Sequence, residues 1–187
     1  MLKIISGKLK GRSIPVIKNA SFKPSASRTR EAIFSIINSW QFDCKLAESN
    51  FLDVCCGSGS VGIEALSRGA NNVCFIDHSF AQLGLLKSFI EKLEYSDQAS
   101  FMHASIEHMP YANRKYEIVF IDPPYFTDLA DIALLNLKKK CWLVNGAIII
   151  LELAHKQNID IPDEYVLLDV RVYGNNKLLF LKYSCRS

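Results

Sequence analysis

Three short stretches carry residues able to do chemistry: Asp122-Pro123-Pro124-Tyr125, the glycine loop Asp53 to Gly62, and a lone acid, Asp77. The first follows Ile118-Val119-Phe120-Ile121, an apolar, β-branched and aromatic run of the kind that forms a strand covered on both faces. Pro123 and Pro124 remove two backbone donors and bias the chain away from helical geometry. The strand must therefore end in a stiff extended turn. At the carboxyl end of a parallel strand, Asp122 offers a carboxylate, Pro123 a free carbonyl and Tyr125 a flat ring. Two acceptors beside a ring suit a planar base bearing an amino group. The same four residues also suit an ordinary strand-ending turn.

In Asp53-Val54-Cys55-Cys56-Gly57-Ser58-Gly59-Ser60-Val61-Gly62, glycines at a strand-to-helix turn let backbone approach a ligand closely. That pattern alone serves dehydrogenases, flavoproteins and methyltransferases alike. The acids narrow it. Asp53 gives a pyrophosphate nothing but would attract an ammonium group, and Asp77, ending the next strand, stands where a carboxylate takes ribose hydroxyls. An amino acid at one end and a nucleoside at the other describe S-adenosylmethionine better than NAD. As plain alternatives, Asp53 could cap a turn and Asp77 the following helix.

The elements that must position these residues alternate regularly. Strands are expected at Phe51–Cys55, Val73–Asp77, about Ser100–His103, up to Ile121, and Ala147–Leu153; helices at Val61–Arg68, Phe80–Leu93 capped by Ser79, and about Asp128–Lys139. This predicts an α/β fold, a doubly wound, mostly parallel, seven-stranded sheet. Tyr165–Val172 and Lys177–Tyr183 are too close for a crossover helix and should form an antiparallel C-terminal hairpin. Leu2–Ser6 and Ser13–Ile17 predict a small N-terminal β-hairpin. A helix starting near Pro24 to Ser27 would bury Ala32, Ile33, Ile36, Ile37 and Trp40.

The chain of 187 residues, 49% hydrophobic and 22% charged, has the mass of a single domain. Residues 1–30 hold eight Lys and Arg and no acid, while the remainder carries fourteen bases against nineteen acids. Residues 1–27 are thus expected to be a basic extension for a polyanion, with Lys8, Lys10, Arg12, Lys23, Arg28 and Arg30 as phosphate-facing candidates. A solubilising tail is the alternative. Six cysteines without paired spacing read as reduced thiols, and the four histidines show no metal spacing. No apolar run reaches a membrane span, so the expected location is cytoplasmic.

Together these residues resemble the class I, Rossmann-like methyltransferases that act on amino groups, and more closely the RsmD family of bacterial 16S rRNA guanine-N2 methyltransferases. The resemblance lies in Gly7 to Arg12, the Lys23 to Phe34 segment, Gly57-Ser58-Gly59 through Gly62-x-Glu64 to Gly69-Ala70, and the Asp-Pro-Pro-Tyr turn. Ser27, Phe89 and Ala104 depart from the family pattern. A monomer without a metal is expected, and what the resemblance implies is methylation of guanine 966 of 16S rRNA, naked or in an assembling small subunit. Asp122, Pro123, Pro124 and Tyr125 would form the catalytic turn. Asp53, Gly57, Ser58, Gly59, Asp77, His78, Ser105 and Ile106 would hold S-adenosylmethionine. A DNA adenine or cytosine amino-methyltransferase, or a non-catalytic RNA-binding assembly protein on the same scaffold, are the alternatives.

Overall fold

The computed structural model describes residues 2–17, 27–39 and 45–185. Lys23, Pro24, Ser25, Ala26 and Trp40 lie outside them. Among the described residues, seven strands form one sheet: β1 (Asn50–Val54), β2 (Asn72–Asp77), β3 (Ala99–His103), β4 (Tyr116–Ile121), β5 (Leu143–Ala154), β6 (Tyr165–Tyr173) and β7 (Asn176–Tyr183). Their spatial order is β3-β2-β1-β4-β5-β7-β6. The first five are parallel, and β7 runs antiparallel to both β5 and β6. The order reverses between β1 and β4, where a crevice opens at the strands' carboxyl ends.

Alternation along the strands explains the layers. Phe51, Ile118, Phe120, Ile148 and Ile150 face one core, while Leu52, Val54, Val119, Ile121, Ile149 and Leu151 face another. Helices α1 (Ser27–Ile37), α2 (Ser60–Ser67) and α3 (Phe80–Lys92) contribute to the first, and α4 (Leu129–Lys139) to the second. Ser79 caps α3 as expected, its hydroxyl accepting from the Gln82 amide at 3.3 Å. The crossover from β3 to β4 holds no helix; buried Ile106 and Met109 cover that part of the second core instead.

Two expectations change at the N-terminus. The hairpin is reduced to one antiparallel bridge, Lys3 with Ser13. Beside it the amides of Ile4 and Ile14 donate across to the carbonyls of Arg12 (3.0 Å) and Leu2 (2.8 Å), and the following backbone turns to α2: Glu64, fully buried, accepts the amides of Ile5 (2.8 Å) and Ser6 (2.9 Å), and Ser67 accepts that of Leu9 (3.0 Å). Gly7 sits at φ 81°, and a Cβ there would lie 1.9 Å from the Ser67 carbonyl oxygen, so only glycine permits this approach. With the sheet below and this segment above, all eight residues of α2 are buried.

The second change concerns α1, whose buried stripe is Arg30, Ile33, Phe34 and Ile37. Arg30, expected to face RNA, is 0% exposed and donates from Nη2 to the Lys3 carbonyl at 2.8 Å. Burial lowers its pKa while the Glu64 carboxylate raises it. It therefore joins the N-terminal segment to α2 and cannot meet an external phosphate. Arg68 completes the cluster, donating to Glu64 at 2.8 Å and lying 4.8 Å from the Phe34 ring centroid.

Candidate active site

At the switch point lies one cavity of about 940 Å³. Asp53, Gly57, Ser58, Asp77, His78, Ser105 and Ile106 line it, and so do Asp122, Pro123, Pro124 and Tyr125. Gly59 does not. It turns the chain at φ 69°, where a Cβ would strike Leu86 of α3 at 2.6 Å, and so lets the start of α2 pack close against α3.

Asp53 is the penultimate residue of β1 and is 1% exposed. Its Oδ2 accepts the Gly62 amide at 2.8 Å, one of the first-turn donors of α2 that lack a helical partner. Its Oδ1 is buried with no hydrogen-bond partner among the described residues. Burial first, opposed by the Gly62 hydrogen bond and reinforced by Asp77, pushes the carboxyl up to about 7. A buried carboxyl oxygen with spare capacity, whose ionised form burial alone disfavours, is a seat that a cation would satisfy by drawing the group into its carboxylate form.

Asp77 ends β2 and ties two loops together. Oδ2 accepts the Gly57 amide and Oδ1 the Ser79 amide, both at 2.8 Å. Each carboxylate oxygen has a second lone-pair direction for a ligand hydroxyl. His78 is largely exposed, with Nδ1 3.4 Å from Asp77 Oδ1. Across the cavity Ile106 is buried, and its carbonyl accepts from Asn136 of α4 at 2.8 Å, which fixes a loop lacking regular structure.

The turn after β4 is held from outside its own sequence. The Asp122 amide donates to the Val54 carbonyl at 3.3 Å, linking it to β1. The Tyr125 hydroxyl lies 3.4 Å from Oε1 of Glu152, a buried β5 residue that also accepts from Asn176 at 2.7 Å. Burial, with the carboxylates of Glu152 and Asp122, raises the Tyr125 phenol. Tyr125 therefore stays neutral at physiological pH. Gln157, 6% exposed, accepts the Phe126 amide at 2.9 Å and donates to the Thr127 carbonyl at 3.2 Å.

Sequence reading named eleven of the twenty-four wall residues and missed, among others, Gln82, Glu107 and Ile17, the last reaching the cavity from the N-terminal segment; it also missed Gln157, which braces the turn from behind. Of the basic candidates, Lys8, Lys10, Arg12 and Arg28 are exposed. No group of three potential metal ligands occurs among the described residues.

Residues 2–182 match the family described as Conserved hypothetical protein 95. The chain is 33% identical to "Ribosomal RNA small subunit methyltransferase D" of Buchnera aphidicola subsp. Baizongia pistaciae, over 89% of this chain and 84% of that one. It is 30% identical to "Uncharacterized methylase RP545" of Rickettsia prowazekii, over 98% of each. Among solved structures it resembles the "Putative methyltransferase yhhF" of Escherichia coli, with a TM-score of 0.84, 25% identity and 98% of both chains covered.

Proposed function

The chain belongs to the RsmD family, the Conserved hypothetical protein 95 family, and from that premise we propose that it methylates the exocyclic N2 amino group of a guanine in bacterial 16S rRNA. Guanine 966 is the position the family resemblance implies. The carrying observation is that the Asp53–Asp77 cradle and the Asp122–Tyr125 turn open into one cavity from adjacent strands.

The residues of the cradle fit S-adenosylmethionine, which supplies an electrophilic methyl group when bound. Asp53 Oδ1 would accept its ammonium group, Asp77 its ribose hydroxyls, and the loop at Ser105 and Ile106 would flank its adenine. The acceptor turn does the rest. A guanine amino group is a weak nucleophile because its lone pair is shared with the ring. Asp122 and the Pro123 carbonyl would accept its two N–H bonds and orient that lone pair, while Tyr125 stacks on the base. The neutral phenol anchored by Glu152 keeps the ring in one plane. Positioning of this kind can recover about 7 to 11 kcal/mol of barrier. Asp122 or water can take the proton released afterwards.

Exposed Lys8, Lys10, Arg12 and Arg28 would hold RNA phosphates. Mass spectrometry of 16S rRNA from cells with and without the gene, then of the same RNA treated with purified protein, tests the reading. Restoration of N2-methylguanosine at one position is the expected result; a different methylated base would refute it.

A further inference from the structure

Phe126 follows Tyr125 directly yet stays outside the cavity wall, with 72% of its surface exposed. Its backbone sits at φ 57°, the left-handed region that a bulky residue rarely adopts and that persists only where surrounding contacts enforce it. Those contacts are present. Gln157 grips the amide of Phe126 and the carbonyl of Thr127, and its own backbone amide donates to the Ala154 carbonyl at 3.0 Å, at the end of β5. The Thr127 hydroxyl closes the turn onto the Pro124 carbonyl at 2.7 Å. A buried glutamine thus holds an aromatic ring in water at the rim of the cavity.

We propose that Phe126 is a nucleobase-stacking residue that takes a base neighbouring the target guanine; this rests on the reading above that a guanine enters beside Tyr125. Drawing one base out of a stack uncovers the π-faces of its neighbours. A ring fixed one residue from the catalytic turn can cover such a face, and stacking of this kind tolerates any base. The Gln157 and Thr127 hydrogen bonds hold the backbone that carries the ring before RNA arrives, so less backbone freedom is lost on binding.

The test uses full-length protein, a fluorescently labelled 16S rRNA fragment, and unmethylated small subunits. For Phe126→Ala the expected result is RNA binding weaker by about 5- to 150-fold, the equivalent of one base stack removed. Phe126→Leu, which keeps bulk but not the π-face, should behave like alanine, and Phe126→Trp should stay within about twofold of wild type. Thermal midpoints and S-adenosylmethionine affinity should not move, since the ring is exposed and outside the cavity. Binding of Phe126→Ala within about twofold of wild type, or full rescue by leucine, overturns the proposal. Phe126-dependent RNA binding without formation of N2-methylguanosine would remove the guanine assignment and leave stacking standing. Normal methylation by Phe126→Ala would do the reverse. A wild-type protein that neither binds nor methylates the RNA overturns both.

Discussion

With the ammonium group placed at Asp53 as proposed, cofactor binding and stability should depend on pH in opposite ways. Its carboxyl, raised from 3.8 to about 7 by burial, holds a proton in the empty folded protein that it would lose unfolded near pH 4. The folded state therefore binds more protons across that interval, and stability falls as pH rises from about 4 to about 7, by about 4 kcal/mol for this group. An ammonium ligand reverses the preference, because it needs the carboxylate. With a carboxyl at about 7, apparent affinity for S-adenosylmethionine should tighten about tenfold between about pH 6 and pH 8. Binding near pH 6 should release close to one proton, read by calorimetry in two buffers of different ionisation heat. Asp53→Asn can still accept the Gly62 amide but cannot charge. It should lose both pH effects and bind about 10- to 150-fold more weakly near pH 8, the worth of a charged hydrogen bond. His78, 3.4 Å from Asp77, is common to both proteins, so their difference isolates Asp53. Parallel pH profiles for the two, with no proton release on binding, would refute the placement of the ammonium group.

Asp122→Ala should abolish methyl transfer while S-adenosylmethionine affinity stays within about tenfold, measured by calorimetry beside a single-turnover assay. Arg28→Ala and Arg30→Ala should separate cleanly: the exposed residue lowers RNA affinity, whereas the buried one lowers the thermal midpoint by leaving Glu64 with Arg68 alone as its cationic neighbour. Glu64→Ala should destabilise by about 3 to 5 kcal/mol in denaturant titration, because it strands Arg30 as a buried charge and frees two backbone amides. Replacing Lys8, Lys10, Arg12 and Arg28 together should reduce the salt slope of RNA binding by about 0.7 for each phosphate no longer neutralised. An unchanged slope would mean that the arm does not touch RNA.

Strand-helix alternation made the sheet legible, since each apolar run at period 2 faces a core on both sides. The Asp-Pro-Pro-Tyr turn and glycine loop were legible because proline and glycine constrain the backbone locally. What escaped were interactions made by distant segments. Gln157 lies 31 residues beyond the amide it holds, with nothing local to mark it. Arg30 was misplaced for a different reason. Charge was read as exposure, although Arg30 stands three and four residues before Ile33 and Phe34, on the stripe that a helix buries. Ile33 and Ile37 of the expected face are buried, but Arg30 and Phe34 complete the stripe in place of Ala32 and Ile36. The N-terminal strands likewise had the right composition and pair through the Ile4 and Ile14 amides, but the amides of Ile5 and Ser6 are taken by Glu64, so the ladder stops short.

These corrections converge on α2. Gly62 donates to Asp53 at the cofactor cradle, while Glu64 and Ser67, within two turns on the same helix, fasten the basic segment. Five residues at about 1.5 Å each separate the two functions by only about 7.5 Å along the axis. A helix buried on every side cannot shift one end alone without opening voids in a close-packed interior. The segment carrying Lys8, Lys10 and Arg12 is therefore registered to the same rigid body that carries Asp53. Ile17 of that segment reaches the cavity itself. On the proposed reading, RNA held on this surface would lie at a fixed offset from the methyl donor's seat, and the buried Arg30–Glu64–Arg68 cluster would maintain that offset at a desolvation cost that a loosely attached tail would not bear.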